Sequence, residues 1–112
     1  MDYSELIRSL PRADLPIPGV VGYMMQNADR LLVFFEFEEK VTIPLHSHGA
    51  QWGTVLHGRL DLTIGEELHR FGPGDSYVIP RDTPHGGVVF PGARILDLFE
   101  ERDRYAPRPP GE

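Results

Sequence analysis

The 112-residue chain carries 17 Asp and Glu against 11 Lys and Arg, a formal charge of −6, which argues against nucleic-acid binding, since that calls for a basic face. It has no cysteine, which excludes disulfides, thiolate metal sites and thiol nucleophiles. Its length suits one domain with a single core, and 12 glycines with 11 prolines indicate many short strands joined by tight turns.

In chain order, residues 1–10 form a short helix with Leu6, Ile7 and Leu10 on one side, and Pro11 ends it. The acidic start has no positively charged region before an apolar run, and no stretch approaches about 18 apolar residues. No signal peptide, no membrane association and a cytoplasmic location are the expectation. Residues 15–19, with Pro16 and Pro18, are a stiff connector. Strands are predicted at 20–25, 31–37, 41–44, 46–48, 51–57, 60–64, 67–71, 76–79, 85–90 and 93–100, with Gly, Pro, Asn or Asp marking most of the intervening turns. Frequent turns with almost no helical periodicity describe an antiparallel sandwich or barrel. The single domain covers 1–104, and residues 105–112, rich in Pro and Gly, read as a flexible tail. The apolar run 31–35 suggests a strand covered on both faces, which points to a homodimer contact.

The chemistry concentrates at two places. His46-Ser47-His48 would lie on one strand, where residues two apart share a face and aim at one point. His85 follows Pro84 and can close on that point from a neighbouring strand. Three imidazoles inside an apolar barrel are costly to desolvate unless something engages their lone pairs. A divalent transition metal does so. The bland alternative is two strand histidines and one turn histidine. His57 and His69 read as turn or surface residues, and Trp52 faces away from Gln51. On the last strand Ala93, Ile95, Asp97 and Phe99 share a face. A carboxylate among Ile and Phe is either functional or sits solvated or salt-bridged at the barrel mouth.

These residues also carry a resemblance. His46-Ser47-His48, Gln51 and Gly58 match a His-x-His, Glu, Gly motif; Gly74, Pro80, Asp82 and His85 match a Gly, Pro-x-Gly, His motif. Residues 31–99 thus resemble a small single-domain cupin, which implies an all-β double-stranded β-helix, or jelly-roll barrel. Two positions depart from the pattern: Gln51 stands in place of Glu, and Asp82 in place of Gly, a change that turn geometry tolerates. The set His46, His48, Gln51 and His85 followed by Asp97, Phe99 and Arg102 is similar to the pectin-degradation cupins. Those proteins linearise unsaturated uronates with metal on three His and a Gln. The resemblance implies one Ni, Zn, Mn or Fe ion on His46, His48, Gln51 and His85, and Asp97 as acid/base. It makes Phe99 a pocket wall and Arg102 a clamp for the sugar carboxylate. The Asp-to-Arg spacing is one residue shorter than in that family, which leaves Arg104 as the alternative clamp. With neutral ligands throughout, a bound ion keeps its full charge as a Lewis acid. The leading expectation is therefore a metal-dependent lyase or isomerase acting on a small sugar-acid-like molecule. An Fe- or Ni-dependent dioxygenase and a non-catalytic ligand sensor are the alternatives.

Overall fold

The computed structural model describes residues 1–109. Alternation of burial along the strands decides the architecture. In the strand Leu31–Phe37, every second side chain is buried, from Leu31 through Val33 and Phe35 to Phe37, as a sheet with one face on the core requires. The elements are α1 (Glu5–Arg8), β1 (Val20–Gln26), β2 (Leu31–Phe37), β3 (Val41–His46), β4 (Gln51–His57), β5 (Leu60–Ile64), β6 (Glu67–Phe71), β7 (Ser76–Ile79), β8 (His85–Val89) and β9 (Arg94–Phe99). They form a five-stranded sheet in the order β1-β2-β9-β4-β7 and a four-stranded sheet in the order β3-β8-β5-β6. The strand pairs are antiparallel, and their inner faces enclose the core as a jelly roll. The expected helix shrinks to the single turn of α1.

Two segments outside the sheets complete the barrel. Tyr3 donates its hydroxyl to the Phe35 carbonyl at 2.8 Å and packs edge-on against Phe34 at 5.6 Å. The N-terminal arm thus covers part of the second face of the apolar run 31–35, at Phe34. At the other end, Tyr105 packs against Phe35 and Phe99. The Asp14 amide donates to the Ala106 carbonyl at 2.8 Å, and the Arg108 amide donates to the Arg12 carbonyl at 2.7 Å. Of the tail expected at 105–112, residues 105–108 are thus tied to the 12–14 segment, and the part from 110 on lies outside the described residues. Among the described residues no helix is long and apolar enough to cross a membrane.

Candidate metal centre and its carboxylate

His46 ends β3 and pairs with His85, the first residue of β8, after a bulge between Ile43 and His46. Pro44 lies within that bulge; it lacks the amide hydrogen a regular ladder would use there. His48 is therefore not on a strand, contrary to the predicted 46–48 element, but in the loop that leads to β4. The loop is fixed from several directions. The Gly49 amide donates to Glu101 Oε1 at 2.8 Å, the Ala50 amide to Glu100 Oε1 at 3.3 Å, and the Asp82 amide to the His48 carbonyl at 2.9 Å. Asp82 adopts φ +61°, the left-handed conformation that suits the glycine usual at this motif position and that Asp tolerates. Arg81 binds Glu100 in a fork at 2.8 and 2.7 Å. That pair, with the Ala50 amide, holds the Glu100 carboxyl down at about 2. Glu100 thereby joins the loop carrying His48 to the loop preceding His85.

The three imidazoles converge, with their candidate ligand atoms within 4.8 Å of one another. Each Nδ1 lies against a backbone carbonyl: His46 on Pro44 at 2.8 Å, His48 on Gly49 at 2.8 Å and His85 on Thr83 at 2.9 Å. A carbonyl only accepts, so each Nδ1 carries the hydrogen and each Nε2 keeps its lone pair. His48 and His85 bring those Nε2 atoms to 3.1 Å. Burial, assisted by Arg104 and the neighbouring histidines, pushes both rings toward the neutral form. Two lone pairs facing each other repel unless a cation lies between them. Nitrogens at about 2.1 Å from one ion and at right angles around it are about 3 Å apart. The donor set therefore fits a divalent transition metal held by His46, His48 and His85.

Gln51 opens β4 and lines the same cavity. Its Nε2 donates to Asp97 Oδ1 at 3.0 Å, which leaves the amide oxygen as the atom a metal would take. Asp97 is buried on β9, as its shared face with Ile95 and Phe99 predicts. The Tyr77 hydroxyl donates to the same Oδ1 at 2.6 Å. Burial raises the Asp97 carboxyl to about 6, against the pull of those two donors. Tyr77 was not among the residues the sequence singled out. Its signal was the alternation in β7 and a glycine, Gly53, opposite it.

The cavity holds about 300 Å³, and most of its wall is apolar. Phe99 is one wall, its ring edge-on to His48 at 5.9 Å. Arg102 does not line it. Its Nε donates to the Asn27 carbonyl at 2.9 Å and its Nη1 to Asp103 at 3.1 Å. The cavity arginine is Arg104, whose buried Nε has no hydrogen-bond partner among the described residues and whose guanidinium lies 5.0 Å from the Tyr105 ring centre. The chain turns after β9, so which arginine faces inward is set by that turn and not by strand parity. His57, His69 and Trp52 do not line the cavity.

The Cupin domain model matches residues 33–99, more than half of the chain. The chain belongs to the cupin family. Among solved structures this cupin is similar to KdgF from Halomonas sp., with 29% identity, a TM-score of 0.72 and coverage of 81% of this chain and 89% of that one. It is also similar to an RmlC-like cupin from Shewanella frigidimarina at 21% identity, with a TM-score of 0.74 and coverage of 84% and 86%. Oxalate decarboxylase from Bacillus subtilis shares the fold at 20% identity and TM-score 0.71, over 87% of this chain and 29% of that chain. Comparison with curated protein sequences finds no match. Within this cupin the residue at 51 has a local reason to be an amide. A glutamate there would set a second carboxylate against Asp97 in a buried site, where only one of the two could ionise.

Proposed function

We propose that this cupin is a metal-dependent isomerase-type enzyme that opens a cyclic unsaturated uronate to its linear ketone. The observation that carries the reading is the placement of Asp97. It is a buried carboxyl, raised to about 6, lining one cavity with the three histidines. A general acid/base works best with a pKa near the operating pH. In the ring-opening, the anomeric hydroxyl gives up a proton, the ring C1–O bond breaks, and C4 of the enol gains a proton. The sum is an isomerisation with nothing consumed. Asp97 is the group placed to take one proton and return one. Arg104, the arginine that lines the cavity, supplies the guanidinium for the substrate carboxylate, and Phe99 bounds the ring. A divalent ion, when bound by His46, His48, His85 and the Gln51 amide oxygen, supplies Lewis-acid polarisation of substrate oxygens. The similarity to KdgF over most of both chains is consistent with this assignment.

The test is to incubate metal-loaded protein with 4,5-unsaturated galacturonate and follow the ultraviolet absorbance of the enol ether. Loss of absorbance well above the buffer rate is expected. No acceleration, with metal verified by elemental analysis, rejects the assignment.

A further inference from the structure

Across the inner face of the five-stranded sheet, one row reads Tyr77 on β7, Gly53 on β4 and Asp97 on β9. Gly53 is the direct register partner of both. A Cβ at Gly53 would overlap Asp97 Oδ1 and Tyr77 Cζ and Oη. The missing side chain is thus the space through which the tyrosine reaches over β4 to the aspartate two strands away. The ring is fixed from another side by Phe71 of the opposite sheet, stacked at 5.2 Å and 28°. Its hydroxyl donates to Oδ1 at 2.6 Å, and Gln51 Nε2 donates to the same oxygen at 3.0 Å. Among the described residues nothing donates to Oδ2, although Asp97 lines the cavity.

We infer that Tyr77, admitted by Gly53, is a positioning residue that pins Oδ1 of Asp97 and leaves Oδ2 as the oxygen presented to substrate. The inference rests on the role proposed for Asp97. With Gln51 as the only remaining donor among the described residues, the carboxylate can turn about its Cβ–Cγ bond, and the fraction of molecules with Oδ2 correctly aimed falls. Ground-state binding through Arg104 and the cavity walls is untouched by that swing, so the loss belongs in kcat and not in KM.

The experiment compares wild type with Tyr77→Phe, which keeps the ring against Phe71 and removes only the hydroxyl. A fall in kcat of about tenfold or more is expected, the size of one hydrogen bond to a charged group. KM should stay within about twofold, with metal content and melting temperature close to wild type. Gly53→Ala, whose Cβ would displace the Asp97 carboxylate as well as the ring, should lower kcat at least as far. A crystal structure of Tyr77→Phe gives a readout that needs no turnover: the Asp97 carboxylate should leave its present orientation or divide between two. An active wild type with an equally active Tyr77→Phe overturns the inference and leaves the uronate assignment standing. An inactive wild type overturns the assignment, and the Asp97 orientation in the Tyr77→Phe crystal then decides the inference. An unmoved carboxylate rejects it.

Discussion

Gln51 donates its amide hydrogen to Asp97 across 3.0 Å, from the residue that opens β4 to one buried on β9. A single amide therefore faces two demands: its nitrogen holds the carboxylate and its oxygen is left for the metal. Replacing Gln51 with Glu would remove the donor and confront Asp97 with a second acceptor. A cost to folding of about 1–3 kcal/mol is expected near neutral pH. Asp97→Asn in the same protein should recover most of it, because the new amide on β9 can donate to the new carboxylate on β4. Urea denaturation of the four chelator-treated proteins completes the cycle. Strictly additive costs would show that the two side chains do not interact as placed.

The titration of Asp97 yields a pH dependence with a definite sign. Burial raises its carboxyl from 3.8 to about 6, so the folded chain holds the proton more tightly than the unfolded one. That stabilisation is complete below about pH 4 and is lost as pH rises through about 6, a change of ~3 kcal/mol. Glu100 runs the other way: its stabilisation is lost as pH falls from 4.5 toward about 2, below the Asp97 window. The stability of metal-free wild type, relative to Asp97→Asn, should therefore decline between about pH 4 and pH 7.5. A flat difference would mean that Asp97 is not desolvated as the structure places it.

Arg102 and Arg104 separate cleanly as binding residues. Arg104 lines the cavity, whereas Arg102 lies outside it and is spent on Asn27 and Asp103. On an anionic substrate, Arg104→Ala should raise KM by about tenfold or more, the usual worth of a charge-assisted contact. Arg102→Ala should leave KM within about twofold. Steady-state kinetics on both variants decide it, and the reverse ranking would return the clamp to Arg102.

What the sequence could and could not disclose follows from where short-range rules stop. Alternation placed the inward face of Asp97 and Phe99, because it depends only on residues two apart. The histidine set was readable for its composition, yet its geometry was not. Counting two residues from His46 assumed a straight strand, while the bulge at Pro44 ends β3 at His46 and passes His48 to a loop. The inward arginine was hidden in a turn beyond the last strand, where parity has no meaning. Tyr77 was hidden because its partner lies two strands over, through Gly53, and a glycine inside a strand signals close approach without naming what approaches. Tyr3 reaches β2 by a contact across 32 positions, which the residues of the run 31–35 do not announce.

The metal expectation is tested by stability as well as by content. His48 and His85 keep Nε2 atoms with lone pairs at 3.1 Å, an arrangement that is repulsive without a cation and cohesive with one. An ion that binds only the folded chain stabilises it by ~4 kcal/mol when present at about a thousand times its dissociation constant. For a domain of this size that corresponds to a rise in melting temperature of about 15 °C. Chelator-treated wild type should therefore show a rise of this order on adding Ni²⁺, Zn²⁺, Mn²⁺ or Fe²⁺, with the preferred ion giving the largest. His85→Ala removes one of the facing pair and so both the repulsion and a ligand. Its response to metal should largely vanish. Calorimetry on the two proteins, with and without each ion, reads both effects. A wild type indifferent to every ion would mean that the three rings do not form a metal site.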